Sequence, residues 1–258
     1  MAQVHPTAIV EPGAELAPDV EVAAYALIGA RVTLAAGVEV GPHAVIEGCT
    51  RVGEGTRIFT HACIGGVPQD RAFAGEPTEL EIGRDNVIRE HVTIHVGTPR
   101  GGGCTRLGDD NLVMNSAHIA HDCQVGSHCI IASFTGLAGH VIVEDHVVLG
   151  AYTGVHQFAR VGESVMSASG AKLSLDAPPF ALVAGDRAHL AGLNAVGLRR
   201  RGLPRETIRA LKRAFHLIFN SRLQLEEAAA RAAEELEGVP EVERLVRFLL
   251  KSERGFCR

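Results

Sequence analysis

The sequence predicts a parallel β-helix of hexapeptide repeats over 1–187, followed by an α-helical domain over 188–258. Three observations carry this. An aliphatic residue stands at every sixth position from Val4 through Val10, Leu16, Val22, Ile28, Leu34, Val40, Ile46, Val52 and Ile58 to Ile64. The same phase returns at Ile82, Ile88 and Ile94, and again from Leu107 to Val161. Beyond about Gly192 the period becomes 3.6. A six-residue period is neither helical nor simple strand alternation; it belongs to a coil that turns a corner after each short strand.

Each six-residue step is read as a strand plus a corner, with three steps per triangular coil. The aliphatic side chain points inward and stacks on its counterpart eighteen residues later. Small residues two positions earlier, such as Ala8, Ala26, Ala44, Ala62, Ala117 and Thr135, share the narrow interior. Glycine often follows the aliphatic residue, which suits a corner. Two segments break the phase, the Gly/Pro-rich stretches 65–81 and 95–106. Both are predicted to be loops thrown out from the prism, where a rigid scaffold can present binding groups. DAPPF at 176–180 punctuates the end of the repeats. In LPRETIRALKRAFHLIF, Pro204 opens a helix that sets Ile208, Leu211, Phe215 and Ile218 on one face. LQLEEAAARAAEELEG is rich in helix formers and stops at Gly238, and Pro240 opens the last helix.

Composition narrows the function classes. The chain has 258 residues, 46% of them hydrophobic, and only 4% aromatic with no Trp, as narrow coils require. No apolar stretch reaches spanning length and the first ten residues lack a secretory core, so a cytoplasmic protein with six free thiols is expected. The net charge is −5, but 188–258 carries 14 Lys/Arg against 9 Asp/Glu. Eight of those basic residues fall within 199–222, beside one acid, Glu206.

The eighteen-residue spacing also works as a ruler, with adjacent coils about 4.8 Å apart. It places His121, Gly139 and Gln157 at one azimuth, Asp122, His140 and Phe158 at the next, and Ala120, Ala138 and His156 at the one before. A polar edge is therefore predicted from His121, Asp122, His140, His156 and Gln157, with a bare glycine between. A His beside an acid at an open edge suits a general base with its orienting carboxylate. The Gly139 amide, one coil away, suits an oxyanion donor. Cys123 falls at an inward position and there is no G-x-S-x-G elbow, so direct acyl transfer to a bound acceptor is favoured over a covalent intermediate. A zinc site on the clustered histidines, as in metal-dependent β-helix carbonic anhydrases, and a purely structural β-helix are the competing classes.

Several motifs resemble the UDP-N-acetylglucosamine O-acyltransferase family, which catalyses the first step of lipid A biosynthesis. They are HPTAIVEPGA, QDRAFAGEPTELEIG, IREHVTIHVGT, DNLVMNSAHIAHDCQVG, LAGHV, VHQF, GLNAVGLRRRG and the terminal RGF. The resemblance implies a left-handed β-helix and a homotrimer with active sites between subunits. It implies transfer of a 3-hydroxyacyl group from acyl carrier protein to the 3-position of UDP-N-acetylglucosamine, with no cofactor beyond the phosphopantetheine arm that carries the donor. It makes His121 the base, Asp122 its orienting acid and Gly139 the oxyanion donor. His118, His140, His156 and Gln157 become cleft residues, Asp70 a sugar-binding residue, and Asn194 and Arg200 residues near the nucleotide or its phosphates. Ser169 takes the position of the acyl-length ruler, where the hydroxymethyl group is expected to favour a shorter chain. The basic run 199–222 suits the acidic carrier protein. No metal, nucleic acid or membrane span is expected. The chain departs from the family pattern at Ala72, where Lys is common, and at Val196, where Glu is common. Those departures leave a 3-amino analogue of the sugar, giving an amide, open as acceptor.

Overall fold

The computed structural model describes residues 2–258 as a triangular prism closed at its C-terminal end by helices. Short parallel strands form three sheets of 11, 9 and 8 strands, one per side of the left-handed β-helix. The register follows the eighteen-residue step: Leu112 pairs with Ile130, Val148 and then Met166 on successive coils. The two loops lengthen it locally, so that Ile58 pairs with Ile88 and Ile94 with Ile119.

The interior is a column of stacked aliphatic side chains. Ile28, Ile46, Ile64, Ile94, Ile119 and Leu137 are fully buried along one side. Each contributes about 1.5–3 kcal/mol relative to exposure, and the small residues beside them, Ala26, Ala44, Ala62 and Ala117, are equally buried.

The corners explain much of the remaining sequence. Asp122, His140 and Phe158 all have φ near +60°, as do their counterparts on the other two corners. A side chain in this left-handed conformation costs roughly 1–2 kcal/mol, and stacking of the rings along each corner offsets it. Tyr25, His43, His61 and His91 stack in one file with centroids 5.0–5.1 Å apart. His140 and Phe158 stack at 4.4 Å on another corner.

The prism ends in a hairpin, Ala181–Ala184 pairing antiparallel with His189–Leu193. Four helices follow: α1 (Ala195–Arg200), α2 (Arg205–Phe219), α3 (Leu225–Glu235) and α4 (Pro240–Leu250). The α2 face predicted from the 3.6 period, Ile208, Leu211, Phe215 and Ile218, is buried. Arg201 and Arg244 both pair with the nearly buried Glu163, tying the helices to the last coil. The chain then returns to the prism, where Asp176 accepts hydrogen bonds from the Ser252 hydroxyl and the Cys257 amide.

Candidate active site

The ruler places the polar edge where the structure has it. His140 N donates to His121 O at 3.1 Å, and Phe158 N donates to Gly139 O at 3.2 Å, so the three coils meet at one corner. There His121 Nδ1 lies 2.8 Å from Asp122 Oδ2. The Asp122 side chain is fully buried, and that of His121 is 14% exposed. A buried carboxylate needs donors on both oxygens, and the second loop supplies them. Thr98 N donates to Oδ1 at 2.7 Å and the Thr98 hydroxyl donates to Oδ2 at 2.6 Å. With Nδ1–H directed at Asp122, Nε2 is the free acceptor of the His121 ring. His140 meets His121 edge-on, with Nδ1 3.7 Å from the same Asp122 oxygen.

Gly139 has no side chain for a steric reason. A Cβ there would fall 2.6 Å from His121 Cε1 and 2.8 Å from Nε2. Its amide donates to no atom among the described residues. Gly139 thus carries a backbone donor without a partner on a residue that the His121 ring packs against.

His118 Nδ1 lies 2.7 Å from the Thr93 hydroxyl, and its ring meets that of His95 at 4.9 Å. Burial, then the charge of His121, holds the His118 pKa below the ordinary imidazole value. His118, Gly136, Gly154 and Lys172 occupy matching outward positions on four coils. The two glycines leave a groove of about 710 Å³, also lined by His156, Arg187 and Arg254. Arg254 Nη2 lies 3.2 Å from His156 Nδ1. Gln157 is exposed on the same corner.

The other residues singled out from the sequence lie elsewhere. Asp70 is in the first loop, its Oδ1 accepting from Ala72 N at 2.9 Å. Ser169 is exposed, just before Gly170 on the corner that also carries Phe134 and Tyr152. Asn194 caps α1 through Gly197 N at 3.0 Å, and its Nδ2 donates to Ser164 O on the third corner. Arg200 is exposed in α1. Among the described residues none of these four is hydrogen-bonded or ion-paired to the histidine cluster.

Three participants escaped the sequence reading. Thr98 looked like one more residue of a polar loop. His95 follows the inward Ile94, and nothing marked it as buried with Nδ1 lacking a partner. Arg254 stands in the terminal RGF motif, far from His156 in sequence. Cys123, by contrast, is buried as its phase predicts, and burial pushes its thiol up to about 12, so it is no nucleophile.

His121, Asp122 and His140 offer donor atoms within 4.8 Å of one another, close enough to be considered for a metal. Both Asp122 oxygens already accept hydrogen bonds from Thr98, and Oδ2 also faces His121 Nδ1. Asp122 thus has no oxygen free of a hydrogen bond to offer an ion, and its contact with His121 Nδ1 is the geometry that an orienting carboxylate makes with an imidazole.

Prism, histidine–aspartate corner and open glycine amide together define a hexapeptide-repeat acyltransferase. Residues 104–139 match the model for bacterial transferase hexapeptide (six repeats), and residues 176–257 match that for UDP-N-acetylglucosamine O-acyltransferase, domain 2. The acyl-[acyl-carrier-protein]–UDP-N-acetylglucosamine O-acyltransferase of Herminiimonas arsenicoxydans is 52% identical over 262 residues, covering all of both chains. That of Thiobacillus denitrificans is 50% identical, again over the full length of both. The crystal structure of the UDP-N-acetylglucosamine acyltransferase from Bacteroides fragilis superposes with a TM-score of 0.97 at 37% identity, covering 99% of this chain and 100% of that one. The chain belongs to the UDP-N-acetylglucosamine O-acyltransferase family.

Proposed function

We propose that this protein transfers a 3-hydroxyacyl group from acyl carrier protein to the 3-hydroxyl of UDP-N-acetylglucosamine, the first step of lipid A biosynthesis. The single observation that carries the mechanism is the free Nε2 edge of His121, backed by Asp122 and packed against Gly139. His121 Nε2 takes the proton of the sugar hydroxyl as its oxygen attacks the thioester carbon. The Gly139 amide donates to the carbonyl oxygen as it becomes negative. Asp122 holds the ring in the tautomer with Nδ1–H and steadies the imidazolium. As the C–S bond breaks, the proton passes from His121 to the departing phosphopantetheine sulfur, leaving ester, free thiol and neutral base.

Ser169 and the histidine cluster flank one groove of the prism, whereas Asn194 lies at the third corner, so a single chain does not bring all three to one substrate. Packing of three copies side by side would set the corners of neighbours together. This supports a homotrimer with sites between subunits. The glycine-floored groove then runs from the histidine corner toward Ser169 and suits an acyl chain. Arg200 suits a phosphate of the nucleotide, and Asp70 the sugar. The exposed cations Arg205, Arg209 and Lys212 on α2 suit the acidic carrier protein. No helix among the described residues is long and apolar enough to cross a membrane.

The test is acyl transfer by purified protein with a panel of 3-hydroxyacyl carrier proteins, with and without chelator. Chelator-insensitive ester product, abolished by His121→Ala in a protein that still assembles, is the expected result. A fully active His121→Ala would refute the role of the base. The alternative acceptor that Ala72 and Val196 leave open is tested in the same assay with the 3-amino sugar, which should be the poorer acceptor.

A further inference from the structure

Thr98 stands at the start of a short 3₁₀ turn, Pro99–Gly101, where a Thr side chain ordinarily caps a backbone amide of the turn. Here it caps nothing. The turn is held by the Thr98 carbonyl, which accepts from Gly101 N at 3.0 Å and Gly103 N at 2.9 Å. The hydroxyl goes instead to Asp122 Oδ2 at 2.6 Å, and the amide to Oδ1 at 2.7 Å. Thr98 is 2% exposed and Asp122 3%, so no water competes for either contact. The far side of the carboxylate is closed by Gly101, where any Cβ would collide with Asp122. The Asp122 amide is also fixed, donating to the Thr105 hydroxyl at 2.8 Å.

This grip has a consequence for the two imidazoles at the corner. The same oxygen, Oδ2, faces His121 Nδ1 at 2.8 Å and His140 Nδ1 at 3.7 Å. A carboxylate free to turn about its Cβ–Cγ bond could serve either ring. Two donors from Thr98, one on each oxygen, fix that torsion and commit Oδ2 to His121.

We propose that Thr98 is a positioning residue: its hydroxyl and amide lock the Asp122 carboxylate onto His121 and away from His140. The inference rests on His121 as the base and deepens that reading. The second loop thereby becomes part of the catalytic machinery without touching substrate.

The experiment compares Thr98→Val, which keeps the shape, the backbone amide and the turn, with Thr98→Ser, which keeps the hydroxyl. A lost hydrogen bond to a charged group predicts a fall in kcat of about 10- to 100-fold for Thr98→Val, with KM within about twofold. Thr98→Ser should stay within about threefold of the parent protein, because the same oxygen reaches Asp122. In an Asp122→Asn background Thr98→Val should cost nothing further, since the group it positions is gone. Unchanged kcat in Thr98→Val would overturn the proposal. So would a full additive loss in the Asp122→Asn background, which would assign the hydroxyl to folding alone. An active His121→Ala would sink the general-base reading itself, whereas an inactive His121→Ala beside a fully active Thr98→Val would sink only the role of Thr98.

Discussion

The His121 ring lies on the bare Cα of Gly139, so close that a methyl group there would fall 2.6 Å from Cε1 and 2.8 Å from Nε2. His121 and Gly139, the proposed base and oxyanion donor, are thus set one coil apart by the same contact that keeps position 139 free of a side chain. Gly139 has an ordinary negative-φ backbone, so Ala would be tolerated locally but for this ring. Gly139→Ala should therefore leave the prism intact and push His121 off its position. Misplacing a base by a few tenths of an ångström to one ångström predicts a loss of kcat of about 100-fold. Steady-state kinetics beside a thermal melt checks it. A large fall in Tm with kcat preserved would assign the glycine to folding.

Asp122 accepts from three donors, two of them on Thr98 and the third Nδ1 of His121, the proposed base. Asp122→Asn replaces that acceptor by an amide that can present its NH₂ group to the ring. The imidazole then flips its tautomer, Nε2 carries the proton, and it can no longer take one from the hydroxyl. The expected loss in kcat is about 10²- to 10⁴-fold with KM little changed. A rise in KM alone would make Asp122 a binding residue.

Ser169 opens a different question, that of chain length. It is exposed at the corner beside the strand Lys172–Leu173, which floors the groove. An acyl chain lying along that groove from the histidine corner would meet the Ser169 hydroxymethyl group at its far end. Ser169→Gly should shift preference toward donors longer by about one or two methylenes, each worth about 0.8 kcal/mol of burial. The readout is relative kcat/KM across a series of acyl carrier proteins. An unchanged preference would remove Ser169 from the specificity determinants.

On α2, Ile208, Leu211, Phe215 and Ile218 are buried while Arg205, Arg209 and Lys212 remain exposed. Arg213 is spoken for by Glu235 at 2.9 Å. Reversing the charge of the three exposed residues should raise KM for acyl carrier protein at least about tenfold and leave transfer from an acyl-pantetheine fragment unchanged. Added salt should raise KM for the parent protein with the carrier donor and have little effect in the triple variant. Equal effects on both donors would place the carrier protein elsewhere.

The corner at His121 was legible because the eighteen-residue step converts sequence separation directly into space. His121, Asp122, Gly139 and His140 needed only counting. Thr98 and Gly101 could not be counted to, because they sit in a loop of twelve residues where the period is suspended. Their contact with Asp122 depends on the path of that loop. The same limit applies to Arg254, which reaches His156 across 98 residues through the return of the chain after α4. Asp70 and Arg200 lie off the repeat for the same reason, and only family resemblance links them to the corner. His95 was obscured differently: it directly follows an inward position in the phase and is buried by its neighbours rather than by the prism.

That burial makes His95 a source of acid sensitivity. It is 8% exposed, Nδ1 has no partner, and the rings of His118 and His121 lie close by. Burial first, then the charges of those two histidines, lowers its pKa from 6.5 to about 4. Between these values the unfolded chain binds a proton that the folded chain refuses, so folding stability rises with pH across this window and falls as the medium is acidified. His118, lowered for the same reasons, acts in the same direction. His95→Phe keeps an aromatic ring against His118 and removes the titration. Relative to the parent, it should reduce the loss of stability from about pH 7.5 to about pH 5 by roughly 1–3 kcal/mol. Denaturant midpoints at the two pH values measure this. An acid loss of the same size in His95→Phe would show that the sensitivity arises from other groups.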